Sequence, residues 1–149
     1  DEIEILHDKE YNWENENLIP GIKQNLVKRV KGDCLHITGV FDLKTCSSFG
    51  FMIRNSNRKV GTELIYNVKR GTISLLGTTA PLMPADNKIS LEILIDRSSI
   101  EVFANNGQTV ISGCFTPDEK SDDLMLFNNG GELGVIEMDI FKLTSAWEN

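Results

Sequence analysis

From Leu35 onward, apolar side chains recur at every second position. Leu35, Ile37, Gly39 and Phe41 share one phase; Phe49, Phe51 and Ile53 repeat it, and Leu64, Tyr66 and Val68 resume it after the polar stretch RNSNRKVGT. A period of two marks a pleated strand with one buried face, because successive Cβ atoms point to opposite sides. Runs of the same kind cover Ile73 to Leu76, the segment LEILIDRSSIEVFANNG, Thr109 to Phe115, Leu124 to Phe127 and Val135 to Leu143. Turn chemistry separates them, as in KRG, NNGG and the charged TPDEKSDD. In the last run Ile136, Met138 and Ile140 alternate with Glu137 and Asp139, which predicts one dry face and one wet face. TTAPLMPADN holds two prolines and belongs to a loop or a sheet edge. No stretch has a helical period. About nine or ten short strands with frequent turns predict an all-β chain, an antiparallel two-sheet β-sandwich of the concanavalin-like jelly-roll kind.

The segment LEILIDRSSIEVFANNG, residues 91–107, selects its own register. If Ile95 faces Ile100 across Asp96-Arg97-Ser98-Ser99, then Ile93 meets Val102, Leu91 meets Ala104, and one face is wholly apolar. A slip of one residue would set Ile95 against Glu101 and carry charge into the core. Asp96 suits the first position of a type I turn, its carboxylate accepting N–H groups that follow, with Ser98 inside the turn. Asn106-Gly107 tolerates positive φ and makes the next turn, pairing Val102 with Ile111 and Glu101 with Ser112. The opposite face carries Glu92, Leu94, Glu101, Phe103 and Ser112, with Asp96 and Arg97 at its rim. That mixed face is either a packing surface for a neighbouring domain or a sugar site.

Residues 1–34 begin with the acidic DEIEILHDKEYNWENEN, broken by Pro20-Gly21. They read as an interdomain connector with a first edge strand, leaving 35–149 as the sandwich body and one domain overall. A chain of 149 residues can bury a sizeable core. Its net charge of −7 excludes duplex nucleic acid and an anionic membrane as partners, since both require a basic surface. No run approaches the ~18 apolar residues of a membrane span, and residues 1–20 are too acidic for a signal peptide. A start at Asp1 suits an excised fragment or mature product, and no compartment is assigned.

The candidate chemistry is sparse. Cys34, Cys46 and Cys114 are odd in number and widely spaced, which points to buried small hydrophobes rather than a disulfide framework or metal site. His7 and His36 lack metal-ligand spacing and read as structural or solvated. TPDEKSDD has oxygen ligands but no glycine at the turn that a calcium loop needs, so a solvated loop is expected. No cofactor motif is present. Trp13, Tyr66 and Trp147 are read as pinning the chain to its body rather than as sugar platforms. Asp96 and Glu101 invite a glycosidase reading, but Arg97 beside them would favour their ionised forms, and a general acid needs the opposite. A turn cap and a surface ion pair are expected instead.

The run LEILIDRSSIEVFANNGQTVIS, followed by CFTP and the terminal LTSAW, resembles the C-terminal β-sandwich of glycoside hydrolase family 32, which includes invertases, levanases, inulinases and sucrose-6-phosphate hydrolases. EIEILHDKEY resembles the connector leaving the catalytic domain and FGFMIRNS an early sandwich strand, so the likeness covers nearly the whole chain. It implies that catalysis belongs to a preceding five-bladed β-propeller with W-M-N-D-P-N-G, R-D-P and E-C motifs, none of which occurs here. WENENLIPG echoes the first only by chance, since Glu16 has no Pro-Asn-Gly after it. The resemblance implies a non-catalytic module with no catalytic residue, metal or cofactor of its own. It would pack on the propeller through the mixed face bearing Phe103 and Leu94. The alternative is a module that binds terminal fructose of fructans through Asp96, Arg97, Glu101 and Phe103.

Overall fold

In the computed structural model, residues 7–20, 26–55, 61–116 and 122–143 are described. Their strands are β1 (His7–Leu18), β2 (Leu35–Asp42), β3 (Ser48–Asn55), β4 (Thr62–Asn67), β5 (Thr72–Leu75) and β6 (Thr78–Pro81), then β7 (Lys88–Ile95), β8 (Ser99–Ala104), β9 (Thr109–Cys114), β10 (Asp123–Asn128) and β11 (Leu133–Leu143). Two antiparallel sheets stack into a β-sandwich, one ordered β1-β11-β2-β7-β8-β9 and the other β10-β3-β4-β5-β6. Among the described residues the count is eleven rather than nine or ten. The additional strand is β6, taken from the proline-bearing TTAPLMPADN, and Pro81 ends it at the sheet edge, where no ladder N–H is missed.

The alternation explains the core. Leu35, Ile37 and Phe41 of β2, Phe49, Phe51 and Ile53 of β3, and Ile89, Leu91, Ile93 and Ile95 of β7 are all buried between the sheets. Phe41 links the layers: its ring centroid lies 4.9 Å from that of Phe49 and 6.3 Å from that of Phe51. Tyr66 is buried beside Phe49 and donates its hydroxyl to the Leu82 carbonyl at 2.8 Å, so its polar atom stays satisfied inside. Tyr66 therefore packs centrally, away from the chain ends that the sequence reading had it pin. Trp13 is half-buried and stacks on Tyr11, while Trp147 lies outside the described residues.

One phase departs from expectation. The β11–β2 register shifts between Val135 and Glu137, and this bulge leaves Ile136 half-buried while Val135, Met138 and Ile140 line the core. A second bulge falls at Arg54, whose φ of 59° interrupts the pairing of β3 with β10 and accompanies a buried guanidinium. The cysteines divide three ways: Cys46 is buried, as expected, but Cys34 is intermediate and Cys114 exposed, because Cys114 sits on the solvent side of the edge strand β9.

Candidate functional site

The β7–β8 hairpin forms in the expected register, with Leu91 opposite Ala104, Ile93 opposite Val102 and Ile95 opposite Ile100. Its tip closes by an N–H bond from Asp96 to the Ser99 carbonyl at 2.9 Å. The Asp96 carboxylate accepts the Arg97 N–H at 2.7 Å and the Cys34 thiol at 3.6 Å. Ser98 gives its carbonyl to the Phe115 N–H, tying the tip to the end of β9. The Arg97 guanidinium pairs with Asp33 at 3.4 Å, and the buried Arg54 donates to the Arg97 carbonyl at 3.1 Å. Asp33 and Arg54 are partners that sequence reasoning did not foresee. Burial, and then the nearby Asp33 and Asp96 carboxylates, push the Cys34 thiol up to about 11.

Asn105, Asn106 and Gly107 all have positive φ, at 49°, 60° and 87°, and carry the chain from β8 into β9. Glu101 sits opposite Ser112, and Val102 opposite Ile111, as the Asn106-Gly107 turn requires. Asp96 and Arg97 thus lie at one end of the hairpin, with Glu101 and Phe103 further in on its solvent face. The four residues are strung along that face.

What gathers there is a different set of groups. One row across the solvent face of the six-stranded sheet reads Asp139, Thr38, Glu92 and Phe103, and the next reads Glu137, Val40 and Ser90. Thr38, Val40 and Ser90 are short, whereas Glu137, Glu92 and Phe103 stand around them. The result is a concavity of about 520 Å³, floored by Gly39 and Leu91 and overhung by Asn106 and Gly107. Phe103 is the one candidate ligand-binding residue that lines it.

The surroundings hold this hollow in shape. His36 is buried beneath Glu92, and its Nε2 lies 2.8 Å from the carboxylate Oε2, with the ring tilted against Phe141. Asn105 accepts the Ser90 N–H on its side-chain oxygen at 3.0 Å and donates its own N–H to the Ser90 carbonyl, which fastens the overhang to β7. Among the described residues no three His, Cys, Asp or Glu side chains converge as a metal site would require. The suggested calcium loop falls mostly on residues 117–121, outside the described ones.

The family model described as glycosyl hydrolases family 32 C terminal matches residues 2–147. A levanase of Bacillus subtilis is 29% identical over 98% of this chain, which corresponds to 24% of the levanase. An extracellular exo-inulinase of Aspergillus niger is 32% identical over 53% of the chain and 16% of its own length. Among solved structures, exo-inulinase from Aspergillus awamori superposes with a TM-score of 0.75 at 21% identity, covering 95% of this chain and 30% of that one. Fructan 1-exohydrolase IIa from Cichorium intybus does so with a TM-score of 0.75 at 22% identity, covering 97% and 37%. The matches span between 16% and 37% of the length of these proteins, and with a family match over nearly all of its residues the chain belongs to glycosyl hydrolase family 32 as that family's C-terminal β-sandwich.

Proposed function

We propose that this chain is a non-catalytic packing module of a longer hydrolase acting on sucrose or fructans, and that it docks on and steadies the catalytic part of that polypeptide. The observation that carries this reading is the solvent face of the five-stranded sheet. Phe127, Gly50 and Ile65 form one row there and Met125, Met52 and Glu63 the next. Four large apolar side chains, Phe127, Ile65, Met125 and Met52, thus share an outer face that the sandwich core does not use. A contiguous apolar patch on a closed domain is the mark of an interaction surface, and one charged residue among apolar neighbours suits an interdomain contact. The face bearing Phe103 and Leu94, expected to dock, is acidic by comparison.

Hydrolysis of a glycoside needs two carboxyl groups about 5–9.5 Å apart, one of them held as an acid. Here Asp96 caps its own turn and Glu92 is held by a histidine, roles that maintain structure. The test is a double substitution, Ile65→Lys with Met125→Lys, made in the full parent polypeptide and in this chain alone. The chain alone keeps its melting temperature, and the parent's falls towards that of a parent lacking the sandwich. A doubly substituted parent as stable as the unmodified one overturns the docking face.

A further inference from the structure

We infer that Asn106-Gly107, in the turn between β8 and β9, is a self-modification site at which the Asn106 side-chain amide converts to a carboxylate. The chemistry needs a carboxamide next to a main-chain nitrogen that no side chain crowds, which an Asn-Gly pair supplies. The sequence holds two such pairs, Asn106-Gly107 and Asn129-Gly130, and the fold restrains them differently. At the second, the Asn129 Nδ2 donates to Ser48 Oγ at 3.0 Å and the Gly130 N–H donates to Asn128 Oδ1 at 3.1 Å. The Gly130 carbonyl accepts the Ser47 N–H at 2.8 Å, and a Cβ on Gly130 would stand 2.4 Å from Ser47 Oγ, so this segment has little room to turn.

At Asn106-Gly107 both residues are exposed, and among the described residues none bonds the Asn106 amide. A Cβ on Gly107 would meet nothing within 4 Å beyond its chain neighbours. The Gly107 N–H donates to the Ala104 carbonyl at 3.1 Å, a turn bond that local opening of the tip releases. Asn105, bonded to Ser90 and to the Met83 carbonyl, anchors the chain just ahead, so the tip can open while β8 stays paired with β9. In the reaction the Gly107 nitrogen attacks Asn106 Cγ: a C–N bond forms and the Cγ–Nδ2 bond breaks. The proton lost from the Gly107 nitrogen leaves with the departing ammonia, and a cyclic imide remains. Water then opens the imide at either carbonyl, giving aspartate or its main-chain-extended isomer, isoaspartate. Each product adds one negative charge to a chain of net charge −7, on the concavity that Glu92 and Glu137 already line.

The test is incubation of this chain at pH 8, folded and in urea, with each asparagine followed by peptide mass and isoaspartate identified by fragmentation. In urea, where no fold restrains either pair, the two convert at similar rates. In the folded chain Asn106 converts at least about tenfold faster than Asn129, the factor that the two additional hydrogen bonds at Asn129-Gly130 amount to. Ser48→Ala frees the Asn129 amide, raising its rate about fivefold and leaving that of Asn106 unchanged. On anion exchange the new acidic form of the folded chain elutes with Asn106→Asp. Equal rates in the folded chain, or faster conversion at Asn129, overturn the assignment. So does an Asn129 rate unmoved by Ser48→Ala, or a folded Asn106 that stays intact while the urea sample converts fully.

Discussion

The two sheets bury the same kind of side chain and expose opposite kinds. Inward, β2 and β7 of the larger sheet offer isoleucines and leucines, and β3 and β4 of the smaller offer Phe49, Phe51, Leu64 and Tyr66. Outward, the larger sheet shows Glu92, Glu137, Thr38 and Ser90 around a hollow, whereas the smaller shows Met52, Ile65, Met125 and Phe127. The core demands only alternation, so the outer phase of each strand was left open for other uses. One face offers hydrogen-bonding groups, the other an apolar surface.

Four substitutions and one titration sharpen that contrast, beginning with the core that both faces share. Phe51→Ala should cost about 3–5 kcal/mol in chemical denaturation, because the ring is wholly buried against Phe41 and its neighbours cannot fill the void. A loss below about 1 kcal/mol would mean that the sheets are not closely packed. Gly50→Ala comes next. A Cβ there would stand 1.9 Å from the Leu64 carbonyl oxygen, so β3 and β4 must part, at about 1–3 kcal/mol for the overpacking.

Asp96→Ala removes the carboxylate that accepts the Arg97 N–H and should cost about 0.5–2 kcal/mol, as lost side-chain caps do. An unchanged melting temperature would contradict the turn. Met125→Lys on the outer face should stay within about 0.5 kcal/mol in the isolated chain, since it reaches solvent already.

The thiols complete the series. Burial raises both Cys34 and Cys46 to about 11. The folded chain therefore keeps protons that an unfolded chain releases above pH 9, and stability should fall as pH climbs from about 9 towards 11. At pH 8 a disulfide reagent should titrate exposed Cys114 first, with Cys34 and Cys46 reacting only slowly.

The hairpins were legible in the sequence because consecutive strands pair across short turns, and a slip would bury Glu101. Asp96 and Asn106-Gly107 announced those turns by residue type alone. The concavity was not legible, since it depends on β2 lying between β11 and β7, and no local pattern states that His36, Thr38 and Glu137 come near Glu92. The bulges at Ile136 and Arg54 were hidden for another reason: each inserts one residue and reverses the phase that alternation assumes. Asp33 escaped notice because it pairs with Arg97 from a distant connection.

The docking of the five-stranded face is tested most directly by methionine oxidation with dilute peroxide, read by peptide mass in this chain alone and in the full parent. Met83, 71% exposed at the edge of the fold, and Met138, fully buried, serve as internal standards. Met52 and Met125 should oxidise in the isolated chain and be protected in the parent, with Met83 reacting in both and Met138 in neither. Equal oxidation of Met52 and Met125 in the two samples would contradict the account.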